Sequence, residues 1–303
     1  QARRGSVKEH TDGLSAQLEA DPDDNQGDHQ GGHGVGLGQP DPLGAQPLTE
    51  PDQDAANLQT RISLHKKFST NTYGWFPWVF DHFDLPPTCK ILELGCGPGD
   101  IWFENMARIP AGWQLTLSDF SPGMLEQTRR HLRNQPHAFT FERINAQSIP
   151  YEDNEFDAVI ANHMLYHVPD RARALSEIRR VLKPGRYLTA TTVGAGHMQE
   201  LPTLLHKFDP DLSIEFQNTI VEFTLENGGS QLEACFSSVT LQRYNDELVI
   251  TEASPLVDYI MSGFGLNATS DKREALFEFI AAEMEQHDGI FRITKDSGIF
   301  IAS

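Results

Sequence analysis

The amino-acid sequence predicts an α/β protein in which an open, parallel sheet is covered by helices on both faces. From about residue 89 to residue 193, short apolar runs typical of buried strands alternate with segments long enough for helices. Alternation of this length favours parallel strands joined by helices. The chain has 303 residues, of which 39% are hydrophobic, and that is enough to build the core of such a fold.

The alternating part supplies five predicted strands, at residues 89–94, 113–118, 139–144, 156–161 and 186–193. One helix is predicted to begin at Asp100, and two more span Pro122–Leu132 and Arg171–Leu182. Proline in the first turn favours the second of these helices, and Pro184 with Gly185 stops the third. Farther along the chain, the pattern predicts helices within 195–225, a strand at 239–251, helices at 255–261 and 272–286, and a final hairpin or long strand at 290–301.

Residues 1–55 differ in composition from residues 56–303. They are rich in Gly, Asp, Gln, Pro and His, and the first aromatic residue is Phe68. Because such a segment buries too little apolar area to offset its ordering entropy, we expect a disordered acidic tail ahead of one folded domain. The domain opens with two predicted short amphipathic helices broken near Asn71–Gly74, and His65 is expected at a surface helix position.

The charge and cysteine content exclude several classes of function. The chain carries 24 Lys+Arg against 43 Asp+Glu, a net charge of −19, which argues against a nucleic-acid partner. Cys89, Cys96 and Cys235 fit neither a zinc site nor a disulfide framework, so we expect no metal and a cytoplasmic setting. No apolar run is long enough to span a membrane.

The strongest signal for a ligand is the loop Glu93–Gly99, of sequence Glu-Leu-Gly-Cys-Gly-Pro-Gly, between the first strand and a helix. Its glycines let the backbone turn sharply and approach a ligand, and the helix N-terminus favours a negatively charged group. Ligands of open α/β sheets dock at the carboxyl ends of strands. A dinucleotide site needs a third glycine where Asp100 stands. The other interpretation of the loop Glu93–Gly99 is a turn with a structural role only and no ligand.

The form Gly-x-Gly-x-Gly, two residues after Glu93, resembles motif one of the class I S-adenosylmethionine-dependent methyltransferases. The segment through Arg179–Arg186 is similar to the type 11 and quinone-biosynthesis-like small-molecule subset, and the resemblance covers about Asn57 to the C-terminus and is sharpest from Ile91 to Thr189. This resemblance implies a Rossmann-like methyltransferase fold with a seven-stranded, mostly parallel sheet and a helical lid insert at about residues 195–225. It also implies that S-adenosyl-L-methionine is bound by residues of this loop, namely Glu93, Gly95, Cys96, Gly97 and Gly99.

Asp119 ends the second predicted strand and can accept hydrogen bonds from both ribose hydroxyls of a nucleoside. The alternative is that it caps the next helix. In the family that the sequence resembles, the residue after this acid and a following methionine line the adenine, which implies this role for Phe120 and Met124. Packing in the core is the alternative for Met124.

The resemblance implies that Ala146, through its backbone, and Gln147 reach the adenine amine, and that Asn162 belongs to the cofactor site. A solvent-facing loop position is the alternative for Gln147. The family places the reactive methyl near the loop that holds His163 and His167, and neutral imidazole can take a proton near pH 7. Both histidines are therefore candidate catalytic bases, unless they only satisfy backbone groups.

Tyr73 and Trp75 precede the first strand, where the family closes a lid over the cofactor, and together with His163 they are the candidate acceptor pocket. Core packing is the alternative for Trp75. The predicted lid insert contains several large apolar residues that suggest an apolar acceptor or an apolar lid, namely Leu201, Leu204, Leu205, Phe208, Phe216 and Phe223.

The expected function is methyl transfer from S-adenosylmethionine to a small molecule by in-line displacement, in which the protein supplies proximity and alignment. Two alternatives remain open at this point. One is an NAD(P)-dependent oxidoreductase on a similar sheet, and the other is a non-catalytic regulatory protein that binds the cofactor.

Overall fold

The computed structural model describes residues 51–211, 221–263 and 269–303. Within these ranges seven strands form one sheet: β1 (Thr88–Leu94), β2 (Gly112–Asp119), β3 (Phe139–Arg143), β4 (Phe156–Asn162), β5 (Leu182–Val193), β6 (Val239–Ile250) and β7 (Phe291–Ala302). Their order across the sheet is β3-β2-β1-β4-β5-β7-β6. The strands from β3 to β5 pair in parallel, whereas β7 is antiparallel to both β5 and β6. The predicted fold class is confirmed.

The described helices are α1 (Pro51–Phe68), α2 (Trp75–Asp81), α3 (Asp100–Glu104), α4 (Pro122–Leu132), α5 (Arg171–Val181), α6 (Glu200–Phe208), α7 (Gly228–Glu233), α8 (Ala253–Gly263) and α9 (Ser270–Glu285). Three of them begin at side-chain caps, one of which is Thr269, which accepts a hydrogen bond from the Lys272 amide at the start of α9. The Ser121 side chain accepts a hydrogen bond from the Met124 amide and Pro122 follows it, while the Asp170 side chain accepts from the Arg173 amide. Such caps satisfy amides that a helix start leaves without intrahelical partners.

Alternating residues of the central strands face opposite sides of the sheet, so the core has two layers there. Leu92 and Val159 belong to the layer beneath α5, whereas Ile91 and Ala158 belong to the layer beneath α2, α3 and α4. A third apolar cluster joins α1, α6, α8 and α9 to β6 and β7; its members include Leu64, Leu204, Leu248, Ile260, Ile280 and Ile293. The described part of the chain is therefore closed by helices on both faces.

Several predicted boundaries were wrong. The residues before Asn71 form one long helix, α1, rather than a short one, and the Arg171 helix ends at Val181 because the chain enters β5 at once. The last segment is a single long strand, which excludes the hairpin alternative.

Some predictions fall on residues outside the described ranges. They concern the tail as far as residue 50 and residues 212–220 of the predicted lid insert, Phe216 included. Among the helices that the structure describes, none combines the length and the apolar character that crossing a membrane requires.

Candidate functional site

The glycine loop leaves the carboxyl end of β1 in a conformation that suits glycine. Gly95, Gly97 and Gly99 have φ of 67°, 54° and 82°, in the left-handed region that other residues rarely adopt. A Cβ atom on Gly95 would lie 2.7 Å from the Cβ of Met164, so a side chain there would collide. A Cβ on Gly97 would meet nothing within 4 Å, so the backbone at Gly97 borders open space that a ligand can occupy.

Asp119 ties this loop to the end of β2. Its carboxylate accepts hydrogen bonds from the Gly97 amide at 3.2 Å and from the Ser121 amide at 2.9 Å. The cap of α4 is Ser121, so capping does not account for Asp119. Burial raises the pKa of Asp119 above its ordinary value. Each carboxylate oxygen has a second acceptor position, so the group can still bind a hydroxyl donor.

Glu93 lies at the floor of the site, with only 1% of its surface exposed. Its carboxyl oxygens accept hydrogen bonds from Trp102 Nε1 at 2.5 Å and from Asn162 Nδ2 at 3.0 Å. Burial raises its pKa to about 8. Within the described ranges no Lys, Arg or His forms an ion pair with Glu93. A cationic ligand group near Glu93 would lower the cost of its ionisation.

Phe120 and Met124 follow Asp119 at the outer side of the site. Phe120 is 47% exposed, and the guanidinium of Arg143 lies 4.8 Å from the centre of its ring. Met124, on the first turn of α4, is half-buried. An exposed aromatic ring next to a half-buried methionine offers a flat apolar surface to a ligand.

The segment after β3 brings Ala146 and Gln147 near the start of α5. Ala146 is buried, whereas Gln147 is half-buried. The Gln147 side-chain oxygen accepts a hydrogen bond from the Asp170 amide at 2.8 Å. Its amide nitrogen donates to Asn145 Oδ1 at 3.3 Å. The side chain of Gln147 thus already joins two loops.

The loop after β4 places His163 beside the aromatic residues of α2. His163 has φ of 48°, which is uncommon for a residue other than glycine, and its amide donates to the Thr191 carbonyl at 3.1 Å. Its ring centre lies 5.3 Å from that of Trp75. Burial, and next the charge of Lys295, lower the pKa of His163 to about 4, so the ring is neutral at pH 7.

The other predicted residues of the acceptor side lie farther out. His167 is exposed, with its ring 4.5 Å from that of Tyr166. Tyr73 is 54% exposed, and its hydroxyl donates to Asp81 Oδ2 at 2.7 Å. The structure therefore brings Trp75 to His163 but leaves Tyr73 at the surface.

Sequence reasoning missed a group of residues on the other side of His163. His65 was expected at a surface helix position, and that expectation was wrong, because its ring stacks on His197 with centres 6.1 Å apart. Lys295 and Asp246 form an ion pair nearby at 2.8 Å. These residues come from elements far apart in the chain, so no local sequence motif predicts that they lie together.

Part of the chain is similar to known methyltransferases. Residues 92–190 match the model of a methyltransferase domain. The demethylmenaquinone methyltransferase of Lactiplantibacillus plantarum is 31% identical over 140 residues, which are 46% of this chain and 56% of that protein. The corresponding enzyme of Symbiobacterium thermophilum is 38% identical over 101 residues, or 33% of this chain and 40% of that protein. The chain thus spans little more than half the length of these relatives at most.

Solved structures share the fold. The YcgJ protein of Bacillus subtilis is 16% identical, with a TM-score of 0.52 over 75% of this chain and 97% of that one. Phosphoethanolamine N-methyltransferase 2 of Haemonchus contortus, solved with S-adenosyl-L-methionine, is 18% identical, with a TM-score of 0.51 over 82% of this chain and 56% of that one. Residues 92–190 are thus similar to a methyltransferase domain, and the seven-stranded sheet has the Rossmann-like fold of these structures.

Proposed function

We propose that this chain binds S-adenosylmethionine at the glycine loop and transfers its methyl group to a small-molecule acceptor. The observation that carries the proposal is the meeting of the Gly97 backbone, the Asp119 carboxylate and the Glu93–Asn162 pair at the carboxyl ends of β1, β2 and β4. Ligands of open α/β sheets bind at this edge. The match to a methyltransferase domain supports the same reaction.

The residues present fit this cofactor in charge and in shape. The donor carries a sulfonium and an ammonium group, and Glu93 is a buried carboxyl without an ion-pair partner among the described residues. The open space at Gly97 lets the backbone approach the methionine part. We assign the ribose hydroxyls to Asp119 and the adenine ring to the surface formed by Phe120 and Met124. The backbone of Ala146 and the amide of Gln147 are assigned to the adenine amine.

The chain's own residues orient the reaction rather than activate it. Bound S-adenosylmethionine supplies a methyl group that is already activated by the positive sulfur. With the donor held by Gly97, Asp119 and Glu93, the methyl group would pass in line to a lone pair of the acceptor, and the electrons of the broken carbon–sulfur bond would remain on sulfur. The site must hold the attacking atom in line with that bond, and such positioning lowers barriers strongly.

The state of His163 limits which acceptors suit the site. We keep His163 and His167 as the groups placed to take a proton from an acceptor. With a pKa of about 4, however, the His163 ring is a weak base. A weak base does not remove a strongly held proton at neutral pH. The proposal therefore favours acceptors that ionise readily or need no deprotonation.

Two further assignments go with this function. We propose a small-molecule acceptor rather than nucleic acid, because the net charge of −19 opposes binding to phosphate backbones. We also propose a cytoplasmic setting, supported by three cysteines that are all free thiols.

The test begins with calorimetric titration of the protein with S-adenosylmethionine, S-adenosylhomocysteine, NAD and NADP. Affinity for the first two and none for the nicotinamide cofactors is expected, and the reverse pattern would show an oxidoreductase. Next, the protein is incubated with methyl-labelled donor and a metabolite extract, and labelled products are identified by mass spectrometry. Cofactor binding without any labelled product would support a regulatory protein instead.

A further inference from the structure

His163 belongs to a cluster of four basic side chains. His65 comes from α1, His163 follows β4, His197 follows β5 and Lys295 lies on β7. These four residues are called the histidine chamber below. Four separate parts of the chain thus converge on one place, although the protein as a whole has a net charge of −19.

Two rings of the chamber stack on each other, and all three histidines lie near one another and near aromatic side chains. The ring of His65 lies 6.1 Å from that of His197 and 5.8 Å from that of Tyr259. Trp75 lies 5.3 Å from His163 and 5.2 Å from Tyr244. All three histidines are desolvated by the surrounding protein, yet each keeps part of its surface accessible to water. Part of each histidine is therefore open to contact from solvent.

One polar atom of the chamber lacks a partner. His65 Nδ1 is buried, and no hydrogen-bond partner for it exists in the part of the chain that the structure describes. Leaving such an atom without a partner costs free energy, so a ligand that supplies one is favoured. His197 Nδ1, in contrast, accepts a hydrogen bond from the Asp296 amide at 3.2 Å.

Asp246, the carboxylate paired with Lys295, already has several hydrogen-bond and ion-pair partners within the protein. Asp246 pairs with Lys295 at 2.8 Å, and their side chains are 0% and 8% exposed. The same carboxylate also accepts from Ser69 Oγ at 2.7 Å and from the Asn71 amide at 3.0 Å. The carboxylate of Asp296, beyond His197, is paired with Arg243. Neither acid has to be displaced for a further anion to enter the chamber.

The electrostatic effect of Lys295 reaches all three histidines despite its partner. After burial, its charge is the next cause that lowers the pKa of His65, His163 and His197, the last to about 3. The charge of Arg61 acts in the same direction on His167 and Tyr166. The positive charge of Lys295, which opposes protonation of these rings, would favour an anion placed among them, whereas burial disfavours charge of either sign.

We propose that the histidine chamber binds the oxyanion of an aromatic acid, whose ring lies against Trp75 and whose far side points past His163 toward the glycine loop. This inference rests on the proposed function, since it names the chemical class of the methyl acceptor. The aromatic walls supply contact area for a flat ring.

The test uses two probes of the same shape and different charge, 4-hydroxybenzoate and its neutral amide, 4-hydroxybenzamide. Each is titrated calorimetrically into the full chain in the presence of saturating S-adenosylhomocysteine. The carboxylate is expected to bind at least about tenfold more tightly than the amide, because hydrogen bonds to charged groups are the stronger ones. Equal affinities, or no binding of either probe, would overturn the proposal.

A pair of matched variants assigns the effect to the chamber. His65→Leu removes a ring whose Nδ1 makes no hydrogen bond, so the fold should persist, and affinity for 4-hydroxybenzoate should fall about tenfold. His206→Leu, at an exposed position of α6, should leave it unchanged. His65→Asn, which restores a polar group, should recover part of the affinity. A His65→Leu protein that binds the carboxylate like wild type, while its circular dichroism is native, would refute the assignment.

The same titrations keep this inference separate from the proposed function. Affinity for S-adenosylhomocysteine is measured first, without any probe, and should be equal in wild type and in His65→Leu. If the wild-type protein binds no S-adenosylhomocysteine, the proposed function fails. If it binds S-adenosylhomocysteine but does not distinguish the two probes, only the proposal that the histidine chamber binds an oxyanion fails.

Discussion

Replacing Asp119 by alanine should weaken cofactor binding more than it weakens the fold. In the proposed site its carboxylate accepts hydrogen bonds from the ribose hydroxyls, and the alanine variant loses them. Hydrogen bonds to a charged group contribute about 1.5–3 kcal/mol. Since about 1.4 kcal/mol corresponds to a factor of ten, the Kd for S-adenosylmethionine should rise by roughly 10- to 150-fold.

The same substitution has a structural cost, which must be separated from binding. The Gly97 and Ser121 amides lose the acceptor that they share, at 3.2 and 2.9 Å. Each lost bond removes about 0.5–1.5 kcal/mol of stability. Ser121→Ala is the matched control, because it removes the bond from the Met124 amide that caps α4 and costs about 1 kcal/mol without touching the ribose acceptor.

Isothermal calorimetry with S-adenosylmethionine and S-adenosylhomocysteine measures the affinities, and urea unfolding measures the stabilities. Asp119→Ala should lose affinity for both ligands, whereas Ser121→Ala should lose stability alone. Wild-type affinity in Asp119→Ala would refute the ribose assignment. Equal loss of affinity in the two variants would show that the substitutions act through the fold.

Three further predictions concern stability. Asp246→Ala leaves Lys295 buried without its partner and should lower the free energy of unfolding in urea by about 3–5 kcal/mol. The double variant Asp246→Asn/Lys295→Met should recover most of that free energy. No recovery would contradict a charge effect. Burial raises the folded-state pKa of Glu93 from 4.5 to about 8, so its protonated form contributes stability that is fully present below pH 4.5 and is lost as the pH rises through 8. The free energy of unfolding of the wild type should therefore fall relative to that of Glu93→Gln between pH 6 and 8.5. Parallel curves of the two proteins would contradict this. Removing residues 1–50 should leave the melting temperature and the cofactor affinity unchanged, as the composition of that segment predicts, and a large fall in either would show that it belongs to the fold.

The parts of the fold that the sequence predicted are those with local signals. Helix α4 was placed at Pro122–Leu132, its bounds in the structure, because Ser121 and Pro122 mark its start. Strand β4 was predicted because its sequence is apolar apart from Asp157 and the final Asn162, and the structure buries every residue except that last one. The start of α1 was missed, since Pro51 follows a segment whose composition favours disorder and the pattern before Asn57 is polar. Local patterns thus fixed elements but not every boundary.

The candidate site divides in the same way. Glu93, Gly97 and Asp119 lie in short motifs, and the structure joins them by direct hydrogen bonds or through the same loop. His65 and Lys295 lie in no motif, because their proximity depends on how α1 packs beside β6 and where β7 enters the sheet. Tertiary packing decides such neighbours, and a single sequence carries no local record of it. The proximity of His65 and Lys295 to His163 is therefore a part of the site that only the structure could provide.

The position of β7 also sets the order in which the molecule can be completed. This strand lies between β5 and β6 and pairs with both, so within the described sheet β6 has no other strand to join. During synthesis, the parallel strands and the glycine loop emerge long before Phe291–Ala302. Until that strand inserts, β6 remains an unpaired segment, and Asp246 has no Lys295 to meet. A nascent chain can therefore form the parallel strands and the glycine loop early, while the part around β6 and β7 forms late and depends on slow, non-local pairing.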